Sequence, residues 1–333
     1  MTHLRRSWIV LPLALLAFAG VRAAEEKPAE KADKPAADQK ADVKEPVLSV
    51  TEHELKVGGK LIKYRATTGY MLMKDAKEDK PKARIFFVAY TRLDTETEKI
   101  DPTKRPVTFS FNGGPGSASI WLHLGALGPK RVAMTEKGES LPPPYRMVDN
   151  DQSWLDATDL VFIDPVSTGY SRAVAGEDPK QFHGFNEDIA SVGDFIRLYT
   201  TRYQRWASPK FLVGESYGTT RASALSDYLQ DTYGLYLNGI TLISSIMNFQ
   251  TARFTRGNDL PYQLFLPTYS AAAWYHKKLT GALAGADLPT VVKAAEKFVQ
   301  EKYAPALMLG DALPAKDKAA LAKELAGFTG LPE

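Results

Sequence analysis

The sequence of 333 residues contains no cysteine and only five histidines. The absence of cysteine excludes disulfide bonds, a cysteine nucleophile and a thiolate metal site. The histidines and carboxylates show no ligand spacing, so neither a metal ion nor an organic cofactor is predicted. Stability must therefore come from a hydrophobic core, and a composition that is 44% hydrophobic and 11% aromatic leaves ample material for one.

The apolar run at the N-terminus is too short to span a bilayer comfortably. It covers residues 8–19, follows Arg5 and Arg6, and leads to a site of small residues that ends at Ala23. This arrangement predicts a signal peptide over residues 1–23, with export to the periplasm or out of the cell and no membrane attachment after cleavage. An uncleaved N-terminal anchor is the alternative, because anchors share the same pattern.

The chain also lacks a basic excess once this segment is set aside. Loss of Arg5, Arg6 and Arg22 leaves 39 of the 42 basic residues, which equals the 39 acidic residues. A nucleic-acid partner requires a clustered basic face, and the sequence indicates none. Residues 24–46 are mainly Ala, Lys, Glu, Asp and Pro, a composition that predicts a disordered linker.

Alternating strand and helix patterns predict an α/β domain over residues 47–250. Residues 61–65 and 83–90 are typical of strands in an antiparallel meander, and the apolar run 160–164 is typical of a strand buried on both faces. The alternation that follows favours a mainly parallel sheet with helices on its faces. Residues 251–333 are rich in Ala, Lys and Leu and predict helices only, as at the start of a helical insertion or cap.

A Gly-x-Ser-x-Gly motif occupies residues 214–218 (GESYG). A short strand pattern at 211–213 precedes it and a helical pattern at 219–231 follows it, which is the setting of a nucleophile elbow. The two glycines relieve steric conflict with the neighbouring strand and helix, and the sharp turn exposes the Oγ of Ser216. The sequence therefore predicts a nucleophile at Ser216; an ordinary strand-to-helix turn is the alternative.

A nucleophile of this type requires two backbone N–H groups that hold the developing oxyanion. One comes from Tyr217, directly after the nucleophile. The other is expected in a glycine-rich loop after an earlier strand, and residues 112–116 (NGGPG) stand directly after the strand pattern at 107–111. A Gly-Pro turn without a ligand is the alternative for that loop.

Together these residues resemble the serine carboxypeptidase family of α/β-hydrolases in a bacterial-type form. The matching segments occur in the family's order and cover roughly residues 107–218. They are 111–119 (FNGGPGSAS), 127–129 (LGP), 160–171 (LVFIDPVSTGYS) and 213–218 (VGESYG). The resemblance implies an α/β-hydrolase fold and a serine-type carboxypeptidase that cleaves peptides through an acyl-enzyme.

The resemblance also implies roles for individual residues. Ser216 would attack the scissile carbonyl, and the N–H groups of Gly114 and Tyr217 would hold the oxyanion. The C-terminal carboxylate of the substrate would be recognised by three groups, namely Asn112, the backbone of Gly113, and Glu215.

One substrate-binding residue of the family is absent. A second glutamate is expected two residues before Gly128, where the two acids would share a proton and favour acidic pH. This chain has Ala126 there, so Glu215 lacks its expected partner. We predict a weaker preference for a free C-terminal carboxylate and a less acidic pH optimum than the family's. Ser117 also replaces a cysteine that is usual in the family, consistent with the lack of disulfides.

The rest of a catalytic triad is not evident. In α/β-hydrolases the acid and then the histidine follow the serine, and only His276 follows Ser216 here. His276 lies in a helical pattern and is more typical of a surface or core histidine. The other candidates are no better placed: His123, His183, Asp259 and Asp311. We therefore expect the triad acid and base, and the late core strands, to be missing from a sequence that is part of a longer enzyme; a truncated, inactive product is the alternative.

Three functions follow from these observations. The leading one is an exported serine hydrolase that cleaves peptides, with this chain an inactive fragment of it. An esterase, amidase or acyltransferase on the same fold is the second, because a fold does not determine a substrate. A non-catalytic, hydrolase-like binding protein is the third. The sequence gives neither the side-chain preference nor the oligomeric state.

Overall fold

The computed structural model of this protein describes residues 47–75, 78–96 and 98–333. The chain divides into two units, Met1–Val43 and Lys44–Glu333, and all the described residues belong to the second. The predicted signal peptide (1–23) and linker (24–46) lie outside the described residues. Within the described residues, no helix combines the length and the apolar character that crossing a bilayer requires.

Ten strands occur in the described residues. They are β1 (Ser49–Val57), β2 (Lys60–Lys74), β3 (Pro81–Arg92), β4 (Val107–Phe111), β5 (Lys130–Val132), β6 (Met147–Asp149), β7 (Asp159–Ile163), β8 (Arg172–Ala173), β9 (Lys210–Glu215) and β10 (Gly239–Ile243). Every residue of β4 and of β7 is buried, as expected for parallel strands that are covered on both faces.

The main sheet has the strand order β1–β2–β3–β7–β4–β9–β10, with β8 paired to β3. Strands β1, β2 and β3 are antiparallel to one another, and β3 is antiparallel to β7. Strands β7, β4, β9 and β10 run parallel. The predicted α/β class, a mainly parallel sheet preceded by an antiparallel meander, is confirmed. The small β5–β6 sheet was not predicted.

The regular α-helices of the described residues cover the sheet or follow it. They are α1 (Ile120–Leu122), α2 (Phe185–Arg202), α3 (Tyr217–Tyr233), α4 (Leu260–Tyr275), α5 (Leu288–Phe298), α6 (Ala304–Leu309) and α7 (Ala315–Thr329). Helices α2 and α3 pack on one face, where Phe195 and Leu225 join Phe109 of β4 in a buried apolar cluster. The opposite face packs against Leu122 and Leu127, in α1 and the turn after it.

After β10 the described residues form helices only, in agreement with the helical character predicted for residues 251–333. Helix α4 packs against α5 and α7. These helices have apolar clusters of their own, one around Leu266 and Phe298 and another around Ala273 and Val291. That the region is an insertion or a cap stays a prediction.

Candidate active site

The parallel strands bring the two predicted motifs to one edge of the sheet. Phe111, the last residue of β4, lies opposite Gly214 near the end of β9. The NGGPG loop and Ser216 therefore leave the sheet side by side, at the carboxyl ends of the strands. Open α/β sheets bind their ligands at this edge.

The turn at Ser216 has the geometry of a nucleophile elbow. Ser216 has φ 56° and ψ −125°, a region that residues with a side chain rarely occupy. A methyl group at Gly214 would lie 2.0 Å from the carbonyl oxygen of Gly218, and one at Gly218 would lie 2.8 Å from that of Phe111. The steric reason for both glycines of the motif is therefore visible in the structure.

Hydrogen bonds hold this turn between β10 and α3. The N–H of Ser216 donates to the carbonyl of Ile243 at 2.9 Å. The hydroxyl of Thr219 donates to the Ser216 carbonyl at 2.6 Å and accepts from the N–H of Ile246 at 3.0 Å. The surrounding structure thereby maintains a backbone conformation that costs free energy.

The NGGPG loop lies directly against the start of α3. A methyl group at Gly113 would be only 2.4 Å from the backbone nitrogen of Tyr217. Gly114 has φ +103°, which favours glycine, and the loop closes through a 2.9 Å bond from the N–H of Ser117 to the Gly113 carbonyl. This approach brings the backbone of the loop and the N–H of Tyr217 together, as an oxyanion hole requires.

One cavity of about 500 Å3 brings together four of the six predicted site residues. Its lining includes Asn112, Gly114, Glu215 and Ser216, together with Ser117, Trp121 and Leu122. The Asn112 amide donates to Glu215 Oε2 at 3.1 Å, and its Oδ1 accepts from the N–H of Leu122 at 3.0 Å. Asn112 is fully buried, so its orientation is defined by these two bonds. The other two predicted residues, Gly113 and Tyr217, do not line this cavity.

The position where the family has a second glutamate supplies no acid. Ala126 lies in the turn His123–Leu127 after α1 and is exposed. Its carbonyl accepts a 2.7 Å hydrogen bond from the Asn150 side chain. Ala126 is not part of the cavity lining, and Glu215 is the one acidic residue among the lining residues given above.

None of the histidines in the described residues is hydrogen-bonded to Ser216. His123 bonds the Tyr90 hydroxyl at 2.7 Å and stacks on Phe162, and burial lowers the pKa of His123 to about 4. His183 bonds Ser167 at 2.9 Å and lines a second cavity of about 380 Å3. His276 directly follows the last residue of α4, with its ring against that of Tyr275.

The acidic candidates for the triad, Asp259 and Asp311, lie in the helical region after β10. Asp259 precedes the first residue of α4, and Asp311 is exposed in a short turn before α7. Within the part of the chain that the structure describes, no group of three or more histidines and carboxylates could hold a metal ion.

Sequence reasoning missed a buried charged group beneath the elbow. Arg221 of α3 is fully buried, and its guanidinium pairs with Asp188 at the start of α2. The sequence pattern does indicate that Arg221 is buried, because it shares the helical spacing of the buried residues Gly218, Ala222 and Leu225. An arginine on the apolar face of a helix requires a partner in the core.

Comparison with known proteins agrees with the resemblance noted in the sequence. The sequence model of the serine carboxypeptidase family matches residues 58–271. Serine carboxypeptidase-like 33 of Arabidopsis thaliana is 31% identical over 135 residues, which are 39% of this chain and 26% of the relative. Carboxypeptidase Y of Saccharomyces cerevisiae is 27% identical over 157 residues, 45% of this chain and 24% of the relative. The chain thus matches about a quarter of the length of these relatives.

Solved structures of low sequence identity also match. A rice cell wall degrading esterase LipA from Xanthomonas oryzae is 11% identical, with 84% of this chain and 74% of that chain covered and a TM-score of 0.36. The peroxisomal alpha-beta-hydrolase Lpx1 from Saccharomyces cerevisiae is 16% identical, with 71% and 62% covered and a TM-score of 0.33.

Proposed function

This chain belongs to the serine carboxypeptidase family, and from that membership we propose that the protein is an exported serine hydrolase that cleaves peptides. Ser216 attacks the peptide carbonyl, the amine leaves with a proton, and water then releases the acyl group from the Oγ of Ser216. The observation that carries the proposal is the assembly of four predicted site residues around one cavity.

The oxyanion of the tetrahedral intermediate is held by the N–H groups of Gly114 and Tyr217. The contact between Gly113 and the Tyr217 nitrogen supports this assignment, since it keeps the two donor segments adjacent. Loss of one such donor typically lowers the rate about 100- to 1,000-fold. Both donors of the proposed oxyanion hole, the N–H groups of Gly114 and Tyr217, lie within the described residues.

The proton of Ser216 requires a base, and none of the histidines in the described residues is hydrogen-bonded to Ser216. His53, His123 and His183 bond other groups, and the His276 ring lies against that of Tyr275. We therefore expect the 333 residues alone to be nearly inactive, with a residual rate from the oxyanion hole and from substrate binding. A small diffusible base can enter an open cavity. Imidazole in the buffer should then restore part of the reactivity of Ser216.

A fluorophosphonate probe tests the nucleophile. We expect slow labelling of the 333-residue protein, faster labelling with imidazole, and none in a Ser216→Ala variant. Labelling that is unchanged in Ser216→Ala would contradict the assignment. No labelling with or without imidazole, combined with binding of a peptide to the cavity, would favour the alternative of a non-catalytic peptide-binding protein.

Asn112, the Gly113 backbone and Glu215 are the proposed site for the carboxylate of the leaving residue. The hydrogen bond between Asn112 and Glu215 supports their joint action. Ala126 leaves this site with one acid, which favours a second candidate function, hydrolysis or transfer of ester and amide acyl groups. Rates for peptides with free, amidated and esterified C-termini, measured in a homologue that has a complete triad and carries this alanine, separate the two. A strong preference for free C-termini with a sharp optimum near pH 5 would contradict the predicted effect of Ala126.

Export is part of the proposal and rests on the pattern of residues 1–23. We expect the secreted or periplasmic protein to begin at Ala24 when its N-terminus is sequenced. Recovery of the intact N-terminus from a membrane fraction would support the uncleaved anchor instead.

A further inference from the structure

Arg221 lies beneath the proposed oxyanion hole and has no exposed surface. A guanidinium without water must be paired and hydrogen-bonded within the protein. Its Nε donates to Asp188 Oδ2 at 2.9 Å, and an Nη atom donates to the backbone carbonyl of Asn112 at 2.8 Å. One arginine on α3 thereby joins α2 to the first residue of the NGGPG loop.

The same guanidinium lies over two aromatic rings. Its central carbon is 5.3 Å from the ring centre of Phe111 and 5.1 Å from that of Tyr217, both within cation–π range. Phe111 ends β4, directly before the loop, and Tyr217 begins α3, directly after the nucleophile. Arg221 therefore contacts the chain on both sides of the proposed oxyanion hole.

Asp188 completes the group by binding both partners on α3. Its Oδ2 accepts from Arg221 and also from the Tyr217 hydroxyl at 3.2 Å. Burial, and then the Asp188 charge, raise the pKa of Tyr217 to about 12, in keeping with a hydroxyl that donates to a carboxylate. The N–H of Tyr217 would bind the oxyanion. The side chain of the same residue is held by the Asp188 carboxylate and by the Arg221 guanidinium.

We propose that Arg221 is the positioning residue of this site, with Asp188 as its counter-charge. It fixes the spacing between the two oxyanion donors, the N–H of Gly114 on the loop and the N–H of Tyr217 on the helix. The catalytic part of this inference rests on the proposed function. The effect of Arg221 on the position of the NGGPG loop does not depend on any reaction. Lysine cannot replace it, because a single ammonium lacks the planar fork that reaches Asp188 and Asn112 together.

A purely structural role predicts something different, and the chain contains a matched control for it. Arg205 is also buried, is paired with Asp159 at 2.6 Å and donates to a backbone carbonyl, that of Arg105. Asp159 begins β7, so this pair lies at the opposite ends of the parallel strands from the candidate site. Arg205→Lys should therefore lower stability without any effect on the site.

Hydrogen exchange of backbone amides gives the first readout. We expect residues 112–117 to exchange about 10-fold faster in Arg221→Lys and in Asp188→Asn than in the wild type, measured well below each unfolding midpoint. Arg205→Lys should leave these residues unchanged. Wild-type exchange of residues 112–117 in Arg221→Lys, or equal acceleration in Arg205→Lys, would refute the positioning role.

Fluorophosphonate labelling with imidazole gives the second readout, separated into probe affinity and the maximal rate of bond formation. We expect Arg221→Lys to lower the maximal rate about 10- to 100-fold with little change in affinity, because a displaced oxyanion donor acts only in the transition state. Equal maximal rates in Arg221→Lys and the wild type would refute the catalytic part. If the wild type itself is not labelled, the proposed function fails, while the exchange data still decide whether Arg221 holds the loop.

Discussion

Three glycines near Ser216 occupy positions where no side chain fits. A methyl group would lie within 2.8 Å of backbone atoms at Gly113, Gly214 and Gly218. Backbone atoms cannot move aside as the end of a flexible side chain can, so each glycine fixes a close approach of two main-chain segments. The proposed oxyanion hole exists because these segments touch.

Substitution of Gly214 tests this at the scale of one residue. Gly214→Ala should lower the free energy of unfolding by about 2–4 kcal/mol and abolish labelling of Ser216, because the new methyl group displaces α3 from β9. Urea unfolding and probe labelling measure the two effects. Gly125→Ala is the control, since nothing lies within 4 Å of a methyl group there. A stable, labelled Gly214→Ala protein would contradict the geometry of the elbow.

His123 gives a prediction of pH dependence. Its pKa is lowered by burial to about 4 in the folded protein and returns to about 6.5 on unfolding. The unfolded state therefore binds the additional proton, so this contribution is complete above pH 6.5 and is lost as the pH falls towards 4. Between pH 7 and pH 5 we expect a loss of about 1–2 kcal/mol that His123→Gln does not show. Equal pH slopes in the two proteins, measured by urea unfolding, would contradict it.

At the scale of elements, a buried ionic group holds the starts of β4 and β7. Asp159 accepts hydrogen bonds at 2.6 Å from both Arg105 and Arg205 and is almost fully buried. It also accepts from the backbone N–H of Arg92, at the end of β3. The carboxylate at the start of β7 therefore joins the end of β3 to the segments before β4 and β9. This group lies at the opposite ends of the parallel strands from the candidate site.

Removal of that charge should destabilise the sheet without altering the site. Asp159→Asn leaves two buried guanidinium groups with no counter-charge, and we expect a loss of about 3–5 kcal/mol in the free energy of unfolding. Glu324→Gln, which breaks the exposed pair with Lys302, should cost less than about 1 kcal/mol. Urea unfolding compares the two. Similar losses in both variants would show that burial of the pair is unimportant.

The sequence predicted the elements whose signals are local. The GESYG turn, the glycine-rich loop and the apolar run of β7 each contain their own evidence, and the structure has them where they were expected. Strands β5 and β6 were missed because three residues are too few for a period-two pattern.

The group around Arg221 could not be predicted in the same way. Asp188 and Asn112 lie far from Arg221 in the sequence, and only the strand order β7–β4–β9 brings them together. Helical spacing indicated that Arg221 faces inward, but the identity of its partners depends on the fold. The hydrogen bond between His123 and Tyr90 likewise joins residues that are far apart in the sequence.

At the scale of the whole described region, β10 has an open side. It pairs with β9 alone among the described strands, and Ile240 and Leu242 are 39% and 38% exposed. Two apolar side chains on one face of an edge strand favour pairing with another chain. The opposite edge, β1, presents mainly charged and polar side chains.

Self-association of the 333-residue protein should therefore depend on β10. We expect concentration-dependent association in light scattering, reduced at least about 10-fold in apparent affinity by Ile240→Lys with Leu242→Lys. Val50→Lys adds a charge to an exposed position of β1 and should have little effect. Association that is unchanged in the double variant but lost in Val50→Lys would assign it to the other edge.

The backbone at Ser216 has a consequence for how this sequence can change over generations. Its φ of 56° and ψ of −125° suit glycine, and a residue with a side chain there costs about 1–3 kcal/mol. Ser216→Gly should therefore raise the thermal midpoint by a few degrees, which calorimetry can measure. Mutations that relieve strain accumulate where nothing opposes them, so a lineage selected only for a stable fold would drift to glycine. A serine at this position therefore carries a cost in stability that glycine would avoid, as expected for a residue whose hydroxyl is needed by the proposed reaction.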